Sequence, residues 1–365
     1  MIAIGCILIG KEILAVRATN KFLCLEIGRG VAALLVLFYH IDKYYYNNPK
    51  YYPNTLLHGV FRFGHSGVEF FFVLSGFIMI WCHWKDFGQP GKIAEFVKKR
   101  VIRIYPLVWF STLVMVGLYL AMPGAGKSIY REPAVIIQSL ALVGVNPFNA
   151  IDFPSWTLWH ENVFYVFCAL IIWRPRVGGA MFAIWTALCL AVAFTGFDAE
   201  TRFYALAPIN VLFFFGAGLA VFLMRHRMPA PALSLYGGLI AFFVFGAACD
   251  LVLIDEGIQH AIFGLSATLI VAGAVELERS GRLVLPNWAS TVGALSFPLY
   301  LTHMFVLPIT AKALAATKLI PKAPPLLGLA VFILAAIGAA MIVRAYVDRP
   351  ATRLLRARLL GGAKS

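Results

Sequence analysis

Ten runs of mostly apolar residues leave this chain few folds. They lie near 22–46, 66–84, 101–122, 157–173, 178–196, 204–224, 233–253, 258–277, 291–315 and 325–347. Crossing a hydrocarbon core of about 30 Å takes roughly 20 residues of α-helix. Inside that core the backbone has to satisfy its own hydrogen bonds, which helices do. The expected fold class is therefore all-α, a polytopic integral membrane protein with about ten transmembrane helices. Charge agrees, because only 13% of the 365 residues are Asp, Glu, Lys or Arg, against about a quarter in soluble proteins. The stretch 133–145 is apolar but too short to span, and reads as re-entrant or interfacial.

The formal net charge of +14 would suggest nucleic acid in a soluble protein. Here it follows from topology. With the amino end in the cytoplasm, twenty Lys and Arg fall in inner segments and nine in outer ones. That bias orients membrane proteins, and it predicts both termini inside with no nucleic-acid partner. The expected organisation is an interfacial or cytoplasmic segment over 1–21, a transmembrane domain over 22–347 and a basic tail over 348–365. The run Ile2 to Gly10 is too short to span. Six cysteines, none in a C-x-x-C or zinc spacing, predict neither a disulfide framework nor a metal site. Gly124-Ala125-Gly126-Lys127-Ser128 imitates part of a P-loop, but Ala121 stands where the pattern needs glycine.

Ionisable groups at membrane depth are costly, so each is a functional candidate. The first run holds Arg29 and His40 with only Tyr39 polar between them. Eleven helical steps return to nearly the same face, about 16 Å further along. Arg29 thus lies toward the inner surface and His40 toward the outer. Glu69 opens the second run, and Ser75-Gly76 near its middle suits close helix packing. Arg100 and Arg103 share a face at the inner end of the third run, a spacing that suits phosphate or pyrophosphate. Trp156-Thr157-Leu158-Trp159-His160-Glu161-Asn162 opens the fourth run with an aromatic pair and a buried carboxylate. It is not an H-E-x-x-H zinc motif, since Phe164 replaces the second histidine. His303 lies at a depth matching His40.

Five patterns occur in order: Arg29-x10-His40, Phe71-Phe72-x2-Ser75-Gly76-Phe77, Arg100-x2-Arg103-Ile104-x-Pro106, Trp156-Thr157-Leu158-x2-Glu161-x2-Phe164-Tyr165 and Leu299-Tyr300-Leu301-x-His303. Together they resemble the acyltransferase-3 family of membrane O-acyltransferases, most closely its bacterial exopolysaccharide O-acetyltransferase branch. The ending Val347-Asp348-Arg349-Pro350 resembles that family's ending too. The resemblance covers about residues 22 to 355. It departs in Thr157, where serine is usual, and no fused hydrolase-like domain of the kind many relatives carry is expected.

The resemblance implies a multi-pass protein of the bacterial inner membrane. Its donor would be acetyl-CoA or another acyl-CoA on the cytoplasmic side, with no bound cofactor. Its acceptor would be an extracytoplasmic or lipid-linked glycan, in association with a polysaccharide synthesis or export complex. His40 would be catalytic, with Glu161 at the family's acidic position. Arg29, Arg100 and Arg103 would serve substrate binding, joined by Tyr105, Ser75, Trp156 and His303. An imidazole suits proton transfer near neutral pH. Glu69 or Glu161 is expected to orient the His40 ring, as in triad logic. Direct transfer and an acyl-histidine intermediate both remain open. Two other readings stand beside acyl transfer: a transporter or flippase for a polysaccharide intermediate, and a structural component of a synthesis complex.

Overall fold

A computed structural model describes residues 22–46, 48, 59–122, 124, 126–195, 197–249, 254–317 and 324–361. The segment 1–21, with its Ile2 to Gly10 run, falls outside the described residues. Among the described residues there is no β-strand. The principal helices are α1 (Leu23–Tyr45), α2 (Gly67–His83), α3 (Ile93–Ala121), α4 (Pro133–Ala141), α5 (Trp156–Trp173), α6 (Pro175–Val192), α7 (Val211–Arg225), α8 (Pro231–Cys249), α9 (Glu256–Arg279), α10 (Ala289–Ala316), α11 (Pro325–Val343) and α12 (Arg349–Leu359).

Among the described residues, nine helical segments are long and apolar enough to cross a membrane. They match nine of the ten expected runs. The remaining run is also helical, as the 18 residues of α5. Its first two turns carry Trp156, Trp159, His160, Glu161 and Asn162, which lower its hydropathy. The short apolar stretch after 132 forms α4, nine residues long, which packs on α3.

α2 and α7 approach so closely that each needs a glycine. A Cβ on Gly216 would lie 1.8 Å from the Val73 carbonyl oxygen, and one on Gly76 would lie 2.2 Å from that of Phe213. Small residues at such crossings let helix backbones pack without lipid between them. Beside the crossing, Phe72, Phe213 and Phe164 stack in turn at 4.6 and 4.5 Å, which ties α2, α7 and α5 together.

Two orphaned helix groups find partners far away in sequence. The first amides of α1, at Leu23 and Cys24, donate to the two carboxylate oxygens of Glu278 at 2.8 Å each. A carboxylate there satisfies donors that lack intrahelical acceptors and complements the helix dipole. In α10, Pro298 has no amide to give the Ala294 carbonyl four residues back. Arg344 supplies that bond through Nη1 at 2.6 Å. Arg344 begins a π-helical turn, Arg344–Asp348, that joins α11 to α12.

Candidate active site

Four helices, α1, α2, α3 and α5, with α10 beside them, enclose a cavity of about 160 Å³. One end of the bundle is basic, carrying Arg174, Arg176, Arg225, Arg227, Arg279 and Arg282 at helix ends. The cavity starts near that end, between Arg29, Arg100 and Arg103. Arg103 is exposed and its guanidinium lies 5.7 Å from the Phe297 ring centre. Arg100 sits between the rings of Phe96 and Tyr165, each at 5.8 Å, and its Nε is buried with no hydrogen-bond partner among the described residues. Arg29 lies 3.7 Å from Glu26 on its own helix. Deeper in, Ser75 donates to Glu161 at 2.5 Å. Glu161 is the carboxylate of this wall.

The far part of the cavity is lined by Phe71, Thr157 and Tyr300. Thr157 Oγ1 donates to the Pro154 carbonyl at 3.1 Å, which leaves it to accept from the Tyr300 hydroxyl at 3.2 Å. One helical turn beyond Tyr300 stands His303, with ring centres 6.2 Å apart. His303 Nε2 lies 3.2 Å from His40 Nδ1.

The backbone fixes the tautomers of this pair. His303 Nδ1 lies 3.1 Å from the Leu299 carbonyl, and His40 Nδ1 lies 2.8 Å from the Val36 carbonyl. A carbonyl only accepts, so both Nδ1 atoms carry hydrogen. His303 Nε2 then presents a lone pair to the His40 Nδ1 proton. The lone pair of His40 Nε2 remains, with no hydrogen bond among the described residues. Tyr39, Tyr44 and Phe153 ring His40 at 4.9, 5.8 and 6.5 Å. Tyr44 is exposed.

This geometry corrects the expectation that Glu69 or Glu161 orients the His40 ring. Glu161 holds Ser75. Glu69 is buried and accepts from His260 Nδ1 at 2.9 Å, with His65 at 4.0 Å. The group against His40 is His303, a neutral ring where a carboxylate was expected. Tyr105 does not line the cavity: its hydroxyl donates to the Ala141 carbonyl, and its ring meets Trp109. Trp156 packs on Phe148 of the preceding loop and on His160. Ser75-Gly76 divides its work, with Ser75 in the cavity and Gly76 in the crossing with α7.

Several buried groups lie outside the sequence motifs. His260 and Glu200 belong to no motif, yet they gather with Glu69 and His160. His160 Nδ1 meets Asn210 Oδ1 at 2.9 Å, and its Nε2 is 4.0 Å from Glu200. Burial lifts the Glu200 carboxyl to about 7. Asp152, in the loop before α5, is fully buried; its Oδ2 accepts from Ser111 at 2.6 Å and burial raises it to about 7. The one available signal for Asp152 is its place in a long loop beside aromatic residues. No group of His, Cys, Asp and Glu among the described residues is arranged to hold a metal ion.

The sequence profile of the acyltransferase-3 family, described as an acyltransferase domain, matches residues 22–344. The exopolysaccharide production protein ExoZ of Rhizobium meliloti (strain 1021) is 30% identical over 315 residues, covering 82% of this chain and 92% of that protein. Acyltransferase MdmB of Streptomyces mycarofaciens is 25% identical over 199 residues, 51% of this chain and 50% of its own. Protein 2 in the picA locus of Rhizobium radiobacter is 27% identical over 163 residues, 40% of this chain and 78% of its own. No solved structure matches significantly. A profile that covers most of a chain of membrane-length helices settles the class: this protein belongs to the acyltransferase-3 family of membrane O-acyltransferases.

Proposed function

We propose that the protein moves an acetyl group from acetyl-CoA at the basic, cytoplasmic end to a hydroxyl of a glycan at the opposite face of the bacterial inner membrane. The observation that carries this reading is the free Nε2 of His40, set between an arginine-lined cavity and an exposed aromatic mouth. Guanidiniums suit the phosphates of CoA. Tyr39, Tyr44 and Phe153 offer ring faces to a sugar. ExoZ, by its name a protein of exopolysaccharide production, is the relative that makes an exopolysaccharide the preferred acceptor.

In the reaction, the glycan oxygen attacks the thioester carbonyl carbon while His40 Nε2 takes the hydroxyl proton. The C–O bond forms and the C–S bond breaks. The proton passes from Nε2 to the departing sulfur, so the products are the ester and free CoA. The imidazolium formed in between shares its Nδ1 proton with the Val36 carbonyl and His303 Nε2. Glu161, held by the Ser75 hydroxyl, stands in the cavity wall and balances part of the guanidinium charge. Purified protein with acetyl-CoA and an exopolysaccharide acceptor is expected to release free CoA and acetylated glycan. His40→Ala, expressed and folded, is expected to release neither. Normal glycan acetylation by that variant would overturn the assignment.

A further inference from the structure

The Val347-Asp348-Arg349-Pro350 ending has no part in the cavity itself. It begins inside a π-helical turn, a rare device in helices that recurs at functional sites. That turn packs against α3 and α10, the helices that carry Arg103 and Phe297. Arg344 reaches across to the Ala294 carbonyl, one turn before Phe297, and so stands at the rim of the cavity. Its Nη1 lies 3.9 Å from Asp348, and its Nε is buried without a partner among the described residues. Arg344 lies within electrostatic reach of Arg103 and Arg349, and also of the carboxylates of Asp348 and Glu26. Arg103 and Arg349 are both exposed, and no carboxylate pairs with either among the described contacts. Three guanidiniums from α3, the π-turn and α12 therefore gather at the rim, Arg103 being the one that also lines the cavity. Asp348 and Glu26 offset part of the mutual repulsion, and an anion bound at the rim would offset the rest. Arg349, Arg353 and Arg356 then continue the positive charge along one face of α12.

The geometry points to a phosphate-binding rim, made by Arg103, Arg344 and Arg349, that takes the phosphorylated nucleotide end of the donor while its acyl arm enters the cavity. This rests on the reading of acyl-CoA as donor. A planar guanidinium grips a phosphate through two parallel bonds, which lysine cannot reproduce. Arg344 is already turned inward by its bond to Ala294, so its remaining donors are set before the ligand arrives. The stretch Arg344–Asp348 thereby serves two ends. It completes the backbone that Pro298 interrupts, and it places one wall of the nucleotide site. An anionic lipid headgroup presents the same phosphate chemistry, and the experiment separates the two sources.

Full-length protein is purified in a zwitterionic detergent. Binding of CoA, dephospho-CoA and pantetheine is measured for wild type, Arg349→Gln and Arg349→Lys, with Arg176→Gln as a basic-end control. Thermal unfolding checks that each variant is folded. The expected result is CoA binding weakened by about tenfold in Arg349→Gln, partly restored in Arg349→Lys, with pantetheine binding unchanged and the control like wild type. The same proteins are then placed in bilayers with and without phosphatidylglycerol. If Arg349→Gln alters only the response to that lipid and leaves CoA affinity untouched, the rim serves a headgroup and the proposal falls. If all variants bind CoA as wild type does, the rim is likewise refuted while the donor reading stands. If wild-type protein binds no CoA, the donor reading fails and takes this site with it.

Discussion

The cavity beside Arg100 and the histidine pair beyond it share Tyr300 as a common wall, yet they manage polarity in opposite ways. The cavity holds three guanidiniums against one carboxylate and leaves donors such as Arg100 Nε open. The pair holds two imidazoles, 6% and 1% exposed, whose Nδ1 protons are assigned by backbone carbonyls. A charged cavity attracts an anionic ligand from water. A neutral pair needs no counter-ion at membrane depth, where an unpaired charge is expensive. The difference shows how one bundle can bind a charged donor and still keep its reactive base uncharged until the proton moves.

That contrast predicts separable defects. The largest belongs to His40→Ala, which removes the base: kcat is expected to fall by about 10²–10⁴, with CoA affinity unchanged. CoA release and direct binding measure the two, and a matched loss of affinity would break the division. Next is His303→Ala, which takes away one of the two acceptors for the His40 Nδ1 proton. We expect kcat to fall by roughly tenfold to a hundredfold with donor KM retained. His303→Asn, which can offer an amide oxygen, should recover part of the loss, and the pH profile of kcat should move in the alanine variant. A pure packing role would leave that profile in place.

Glu161→Gln tests the other half. Glu161 touches Ser75 and the cavity, not His40, so the expected effect is a several-fold change in donor KM with the kcat–pH profile unmoved. A shifted profile would return Glu161 to the role of orienting carboxylate. The smallest effect concerns Asp152, outside both halves. Its folded pKa, about 7, stands above the ordinary aspartate value of 3.8. Between those values the folded protein keeps a proton that the unfolded chain has lost, so this group makes stability fall as pH rises from about 4 to about 7. Asp152→Asn should flatten that slope and raise the unfolding temperature by a few degrees at pH 8. Melting curves at pH 5 and pH 8 would reveal it, and an unchanged slope would count against the buried carboxyl.

Much of the site was legible because its residues violate the apolar background. Arg29, Arg100 and Arg103 stand out in or beside membrane-length runs, and all three line one cavity. His40 and His303 share a depth that sequence could estimate from helical rise. Sequence could not say that their rings meet, because 263 positions separate them. It could not assign the carboxylates either. A glutamate one turn inside a helix looks alike whether it faces His40, Ser75 or His260, and the rotation of α2 and α5 decides.

By itself, the sequence determined the membrane-helix class and the positions of the polar groups along each helix. Periodicity and span length are local properties, fixed by the chain's own rise and by the thickness of the bilayer. Only the tertiary structure decided which groups touch. Gly76 and Gly216 set the crossing of α2 with α7. Pro298 frees a carbonyl for Arg344, and Glu278 caps α1 from the end of α9. The packing of α1 with α10 replaces an expected carboxylate by His303. These pairings depend on how helices rotate and cross, and a one-dimensional pattern of polar residues does not carry those angles.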